Sequence, residues 1–227
     1  MNYRYNWAGD FILRDTIVPN KRAVVGYIDE VIPTDIREWA KEPPNNKLSE
    51  ALSEIMGLSR TKMAGTFDQR AYLIWEYVAK KVEYVYDKKA HGMPDFWFFP
   101  EETLSLGKGD CEDSTFLLCS LLLASGISPF CVRAELGRVY DENGNLLGGH
   151  AWPVYLDERG KWRLLESTLD SVPEKMPLAD SFTLPDIEFQ YEPLLCFNQY
   201  HLWLVKPSDK DLGYYCALDK VNIRKRR

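Results

Sequence analysis

Histidine is scarce in this chain, with three residues in 227, and none of its five cysteines forms a Cys-x-x-Cys pair. The missing pair excludes a zinc ribbon and a thioredoxin-type redox site. The cysteines, at positions 111, 119, 131, 196 and 216, are odd in number and loosely spaced. That pattern makes no disulfide framework and fits a reducing compartment. No apolar run approaches membrane-spanning length, and the first residues lack the charged-then-apolar order of a secretion signal. A broad basic face is missing too: the formal charge is −6, and the one basic cluster, Arg224-Lys225-Arg226-Arg227, reads as a solvated terminal tail. Nucleic acid and membrane are therefore not expected as partners, and the cytoplasm is the expected location. Internal repeats and low-complexity segments are also absent.

What is present is a globular composition, 45% hydrophobic and 13% aromatic, enough for one substantial core. Up to about residue 42 the chain is strand-like or irregular, with β-rich pieces at Thr16-Ile17-Val18 and at 23–28. Pro43-Pro44-Asn45-Asn46 is a breaker and the best candidate boundary. Helical spacing appears at 48–58, near Gly57, and more strongly at 68–82, where Ala71, Ile74, Trp75 and Val78 share one face. Asp68 is placed to cap that helix. Tyr84-Val85-Tyr86 reads as extended, then come a loop at His91 and the aromatic run Phe96-Trp97-Phe98-Phe99.

From Cys111 to Ala124 the chain is apolar nearly all round, the mark of a helix inside the core, and Gly126 is its natural stop. Beyond Phe130 the pattern turns to strands at 130–136, 151–156 and 162–166. Turns fall at Asp141-Glu142-Asn143-Gly144 and Asp157-Glu158-Arg159-Gly160. Helices first and strands afterwards predict an α+β fold, with the buried helix packed on an antiparallel sheet.

The chemistry gathers at Gly109-Asp110-Cys111-Glu112-Asp113, which delivers a cysteine to the first turn of the buried helix. Unpaired backbone N–H groups and the positive dipole end favour an anion there, which shifts a thiol toward thiolate. A cysteine nucleophile needs a base, a group that fixes the base, and donors for the oxyanion. His150, after Gly148-Gly149, supplies the base from a strand start, and Glu166 ends the next strand. A hairpin across 157–160 puts the two side by side, so that the carboxylate accepts the imidazole N–H. The Cys111 backbone N–H is one oxyanion donor, and Trp97 or Tyr86 is the candidate for the second. Taken singly, Cys111 reads as a small core residue, His150 as structural and Glu166 as a surface carboxylate; it is their joint context that points to catalysis. His91 and His201 lack such context, and Cys119, Cys131, Cys196 and Cys216 read as core or strand fillers.

These residues resemble the transglutaminase-like superfamily, in particular its bacterial and archaeal cysteine-protease branch. The matching text is Trp97-x-x-Pro100-x-Glu102-Thr103-Leu104, Gly107-x-Gly109-Asp110-Cys111-Glu112-Asp113, Gly149-His150-Ala151-Trp152 and Trp162-x-Leu164-Leu165-Glu166-Ser167-Thr168, within residues 65–170. The resemblance implies a papain-like α+β core in which Cys111 attacks an amide carbonyl and His150 relays the proton. A thioester forms, and water resolves it in a hydrolase or an amine in a transglutaminase. Where many relatives have Asp as the third member, this chain has Glu166, one methylene longer.

No cofactor is expected. Calcium is the one ion the resemblance allows, through Asp110, Glu112 and Asp113, whose other reading is helix capping. The expected organisation is an extension over 1–60 packing on a catalytic domain over 61–227. The expected function is hydrolysis of peptide or isopeptide amides in a protein or peptide substrate. Glutamine-to-amine acyl transfer is one alternative. A non-catalytic interaction module is the other, and it predicts a lost cysteine or histidine.

Overall fold

The computed structural model describes residues 4–5, 23–24, 27–31, 36–40, 46–57, 65–91, 96–179, 182–184 and 187–204. Thr16-Ile17-Val18, Pro43-Pro44-Asn45, Cys216 and the basic tail lie outside them. The helices are α1 (Asn46–Met56), α2 (Phe67–Lys81), α3 (Asp87–His91), α4 (Pro100–Leu106) and α5 (Cys111–Ala124). The strands are β1 (Arg4–Tyr5), β2 (Ala23–Val24), β3 (Tyr27–Val31), β4 (Glu83–Tyr84), β5 (Lys108–Gly109), β6 (Val132–Tyr140), β7 (Leu146–Leu156), β8 (Trp162–Leu164), β9 (Phe182–Leu184), β10 (Ile187–Phe197) and β11 (Leu202–Leu204). The main sheet is antiparallel in the order β1-β11-β10-β6-β7-β8, with β9 added on β10. Apart from β1, the strands of the main sheet follow the helices, the α+β arrangement, with β2–β3 and the parallel β4–β5 as separate pairs.

The apolar sequence of α5 translates directly into burial: every residue from Cys111 to Leu123 is buried. Leu117, Leu118, Leu121 and Leu122 are at 0% exposure, each stabilising the fold by about 2 kcal/mol relative to an exposed leucine. Around them an aromatic seam joins distant parts of the chain. Trp39 packs on Trp97 at 5.5 Å and stacks on Phe99 at 5.1 Å, and Phe116 of α5 meets Phe197 of β10 at 6.0 Å. Trp39, Leu48, Ala51 and Leu52 therefore share one core with α5 and the sheet. Among the described residues no helix is long and apolar enough to cross a membrane.

The helices depart from the sequence reading in several places. α1 starts at Asn46, inside the expected breaker, the expected loop at His91 is the end of α3, and α4 is not foreseen. The cap of α2 also differs. Thr66, not Asp68, caps α2: its hydroxyl accepts the Gln69 N–H at 3.2 Å while Gln69 Oε1 accepts the Thr66 N–H at 3.0 Å. This is a reciprocal capping box. Asp68 instead ties α2 to the sheet, accepting the Tyr155 hydroxyl at 2.9 Å and the Glu158 N–H at 3.1 Å. Such a long-range partner leaves no local signature. The β7 strand also begins earlier than its hydrophobic pattern suggests, at Leu146, so Gly148 and Gly149 are within it.

Candidate active site

Cys111 is presented by a short scaffold of backbone bonds. In the β4–β5 pair Tyr84 faces Gly109, and the Val85 N–H donates to the Gly109 carbonyl at 2.9 Å. One residue later α5 begins at Cys111. The side chain of Asp113 folds back beneath this turn, Oδ2 accepting the Asp110 N–H at 3.1 Å and Oδ1 the Phe98 N–H at 2.8 Å. Position 109 must be glycine for this to happen, because a Cβ there would lie 2.6 Å from the Asp113 Cβ. The first and last residues of Gly109-Asp110-Cys111-Glu112-Asp113 are thus structural, and Asp113 performs the capping that its position suggests.

The thiol is 1% exposed and donates to Glu112 Oε2 at 3.2 Å. Donor atoms of Asp110, Cys111 and Glu112 lie within 4.8 Å of one another, as do carboxylate oxygens of Asp87, Asp110 and Asp113. All of these side chains are buried. Two carboxylates beside a thiol oppose its ionisation, against the pull of the helix N-terminus. Tyr84 shares this environment. Burial, and then the negative charges of Cys111, Asp110 and Glu112, hold its hydroxyl well above the ordinary phenol range, so it stays an O–H donor.

β8 ends at Leu164, so Glu166 lies two residues beyond the strand rather than at its end, and it meets His150 of β7 from there. Nε2 of His150 lies 2.9 Å from Glu166 Oε2, and both side chains are at 0% exposure. The remaining acceptor sites of the carboxylate are also used: Oε1 takes the Thr168 N–H at 2.9 Å and hydroxyl at 2.7 Å, and Oε2 takes the Tyr191 hydroxyl at 2.8 Å. Burial pushes the Glu166 pKa up, but the charge and hydrogen bond of His150, with the donors of Thr168, outweigh it and leave the pKa lowered. An ionised carboxylate is acceptor only, so Nε2 is the ring nitrogen that donates to Glu166. The ring is flanked by Trp152, at 6.1 Å and 24°, and by Tyr191 at 6.2 Å.

Two further contacts, silent in the sequence, join the halves of the site. Ser114 Oγ bonds the Cys111 carbonyl at 3.1 Å and Ser167 Oγ at 2.9 Å, linking the turn of Cys111 to the neighbour of Glu166. Trp75 Nε1 donates to the Glu166 carbonyl at 2.7 Å, so α2 also holds the acidic residue in place. Of the remaining candidates, Trp97 packs its ring on Trp39 and Phe116, and Tyr86 packs edge-on against Tyr84. The His91 side chain is outside the described residues. His201 packs tilted against Trp203 at 5.3 Å. Cys119 and Cys196 are buried, and burial pushes both thiols up. A groove of about 910 Å³ runs past Met56, Asp68, Tyr72 and Arg159. It lies at the start of α2, the end away from Tyr84 and Cys111.

Trp152 carries a second buried carboxyl. Its Nε1 donates to Glu135 Oε2 at 2.8 Å. Burial pushes the Glu135 pKa from 4.5 to about 7, against the opposing effects of the Trp152 bond and the Arg133 charge. An unfolded chain releases this proton near 4.5 and the folded chain near 7, so the contribution of Glu135 to stability falls as pH rises through that window. Glu135→Gln keeps an acceptor for Trp152 and should remove the effect. Relative to the variant, the wild type is expected to lose on the order of 3 kcal/mol between those limits, roughly 6–12 °C in Tm. Parallel Tm-versus-pH curves for the two proteins would disprove it.

Comparison with known proteins agrees with this architecture. Residues 55–167 match the family model described as the transglutaminase-like superfamily. Among solved structures, calcium-bound Legionella pneumophila LapG is similar in fold, at 21% identity over 74% of this chain and 83% of that one, with a TM-score of 0.50. EGTA-treated LapG from the same organism also matches, at 21% identity over 80% and 92% of the two chains, with a TM-score of 0.48. No curated protein matches. The model match and the shared arrangement of helices and antiparallel sheet agree, and the chain belongs to the transglutaminase-like superfamily.

Proposed function

We propose that this protein is a cysteine hydrolase that opens peptide or isopeptide amide bonds through a thioester on Cys111, with His150 as base and Glu166 as its orienting partner. The observation that carries the reading is the buried His150–Glu166 bond of 2.9 Å. It commits Nε2 to the carboxylate, so that Nδ1 is the nitrogen to take the thiol proton, and Ser167, next to Glu166, ties that segment to the turn of Cys111.

Nδ1 takes the thiol proton, and the thiolate attacks the amide carbonyl. The tetrahedral oxyanion forms at the head of α5, where the Cys111 N–H is one donor. Tyr84, held against Gly109 and kept protonated, joins Trp97 and Tyr86 as a candidate for the second. The imidazolium then protonates the leaving amine, and the C–N bond breaks to leave the thioester. Water, deprotonated by His150, adds to the thioester, and the acid product and the thiol are released. Hydrolysis is favoured over acyl transfer because water needs no acceptor pocket. The substrate is a protein or peptide.

Calcium fits the acidic end of the site, since hard carboxylate oxygens of Asp87, Asp110 and Asp113 lie within 4.8 Å of one another. Asp87, Asp110 and Asp113 would hold it, with Glu112 next to Asp110, and the fold neighbour LapG is a calcium-bound structure. When bound, the ion supplies positive charge that offsets the carboxylates opposing the Cys111 thiolate.

The test is incubation of the protein with a peptide library and a primary amine, with calcium or EGTA, read by mass spectrometry. Free carboxylate products that disappear in Cys111→Ala are expected, with activity and Tm both lowered by EGTA. Exclusive incorporation of the amine would replace hydrolysis by acyl transfer. No turnover of either kind, with Cys111 no more reactive than a free thiol, would reduce the domain to a binding module.

A further inference from the structure

Glu166 is more heavily supported than its place in the sequence suggests, and part of the support comes from outside the family match. That match ends at residue 167. The Tyr191 hydroxyl, from β10, donates to Glu166 Oε2 at 2.8 Å, the same oxygen that faces His150. Without it, Oε2 has only the imidazole to hold it, while both Thr168 donors pull on Oε1. A glutamate reaches one torsion further than an aspartate and loses more freedom when fixed, so a second anchor on the working oxygen matters more here. The ring of Tyr191 is itself fixed edge-on against Trp152, at 5.0 Å and 78°. Trp152 is in turn held by Glu135, the other buried carboxyl nearby.

We propose that Tyr191 is a positioning residue of the site: its hydroxyl holds the Glu166 carboxylate in line with His150 Nε2, so β10 belongs to the catalytic unit. The assignment rests on the reading of Cys111, His150 and Glu166 given above. Burial, together with the Glu166 charge and hydrogen bond, keeps the phenol protonated and therefore a permanent donor.

The test is Tyr191→Phe, which removes the hydroxyl and keeps the ring. A charge-assisted bond lost from the site should lower kcat about tenfold at unchanged KM. Exchange of the His150 Nε2 proton, followed by NMR, should quicken by about the same factor. The variant should stay folded, with Tm within about 6 °C of wild type. In a Glu166→Gln background, where no carboxylate is left to hold, the same substitution should change kcat less than about twofold. Unchanged kcat and exchange in folded Tyr191→Phe would overturn the assignment, as would an equal loss of kcat in the Glu166→Gln background. If the wild type hydrolyses no amide, the proposed function fails, and the proton exchange still decides whether Tyr191 holds the pair.

Discussion

Replacement of His150 by glutamine or alanine is expected to cut amide turnover about 10⁴-fold, and Cys111→Ala to bring it to background. The size follows from the division of labour in the proposed site. Cys111 forms the bond, and its thiol, 1% exposed and donating to Glu112, needs a base to take its proton. His150 supplies that base and later the proton for the leaving amine, so its loss affects both halves of the cycle. The double variant should be no slower than the slower single one, because the two residues act as a unit. Folding has to be separated from chemistry. His150→Ala removes one donor from a buried carboxylate at 0% exposure that keeps those of Thr168 and Tyr191, which costs roughly 1–3 kcal/mol. His150→Gln retains a donor for Glu166 and is the better probe. Alkylation of Cys111 by iodoacetamide at pH 6 should slow in both variants. If either folded variant keeps wild-type turnover, the assignment of the base is wrong.

The parts of this site legible in the sequence are those built from neighbours along the chain. The apolar stretch after Cys111 could only be a core helix, and all of it from Cys111 to Leu123 is buried. Turn residues at 157–160 set β7 and β8 side by side, which brings His150 within hydrogen-bonding distance of Glu166. The illegible parts are contacts between distant segments. Ser114 with Ser167 spans 53 positions, Trp75 with Glu166 spans 91, and Tyr191 with Glu166 spans 25. A serine or tyrosine in an apolar run carries no sign of which far residue it will bond. The β4–β5 pair that sets Tyr84 against Gly109 is two residues long on each side, too short for any periodicity to reveal. Asp68 shows the converse error: a carboxylate in the right place for a cap was taken by Tyr155 of β7 and Glu158 of the turn that follows it.

The largest effect from a residue that meets no substrate is expected at Gly137. This glycine faces His150 on β7 and Pro193 on β10, where the register of β10 shifts before Leu195. The shift carries the Glu192 carbonyl against the glycine: a Cβ at 137 would lie 2.1 Å from that oxygen and 2.7 Å from Trp152 Cη2. Neither neighbour can yield cheaply. The carbonyl is sheet backbone, and Trp152 is held by Glu135 while packing on both His150 and Tyr191. Gly137→Ala must push β10 outward, tilt the indole, or both. Either movement draws Tyr191 off Glu166 or moves the His150 ring. Overpacking of this kind is expected to cost about 3 kcal/mol, roughly 6–12 °C in Tm. In the fraction that stays folded, kcat should fall more than about tenfold, since the carboxylate and the imidazole no longer meet in line. Gly144→Ala is the control: Gly144 has φ 78° and nothing within 4 Å of its would-be Cβ. It should cost only about 1 kcal/mol of backbone strain, with kcat unchanged. Urea melts and turnover of the two variants separate a packing requirement at the heart of the site from the ordinary cost of losing a glycine.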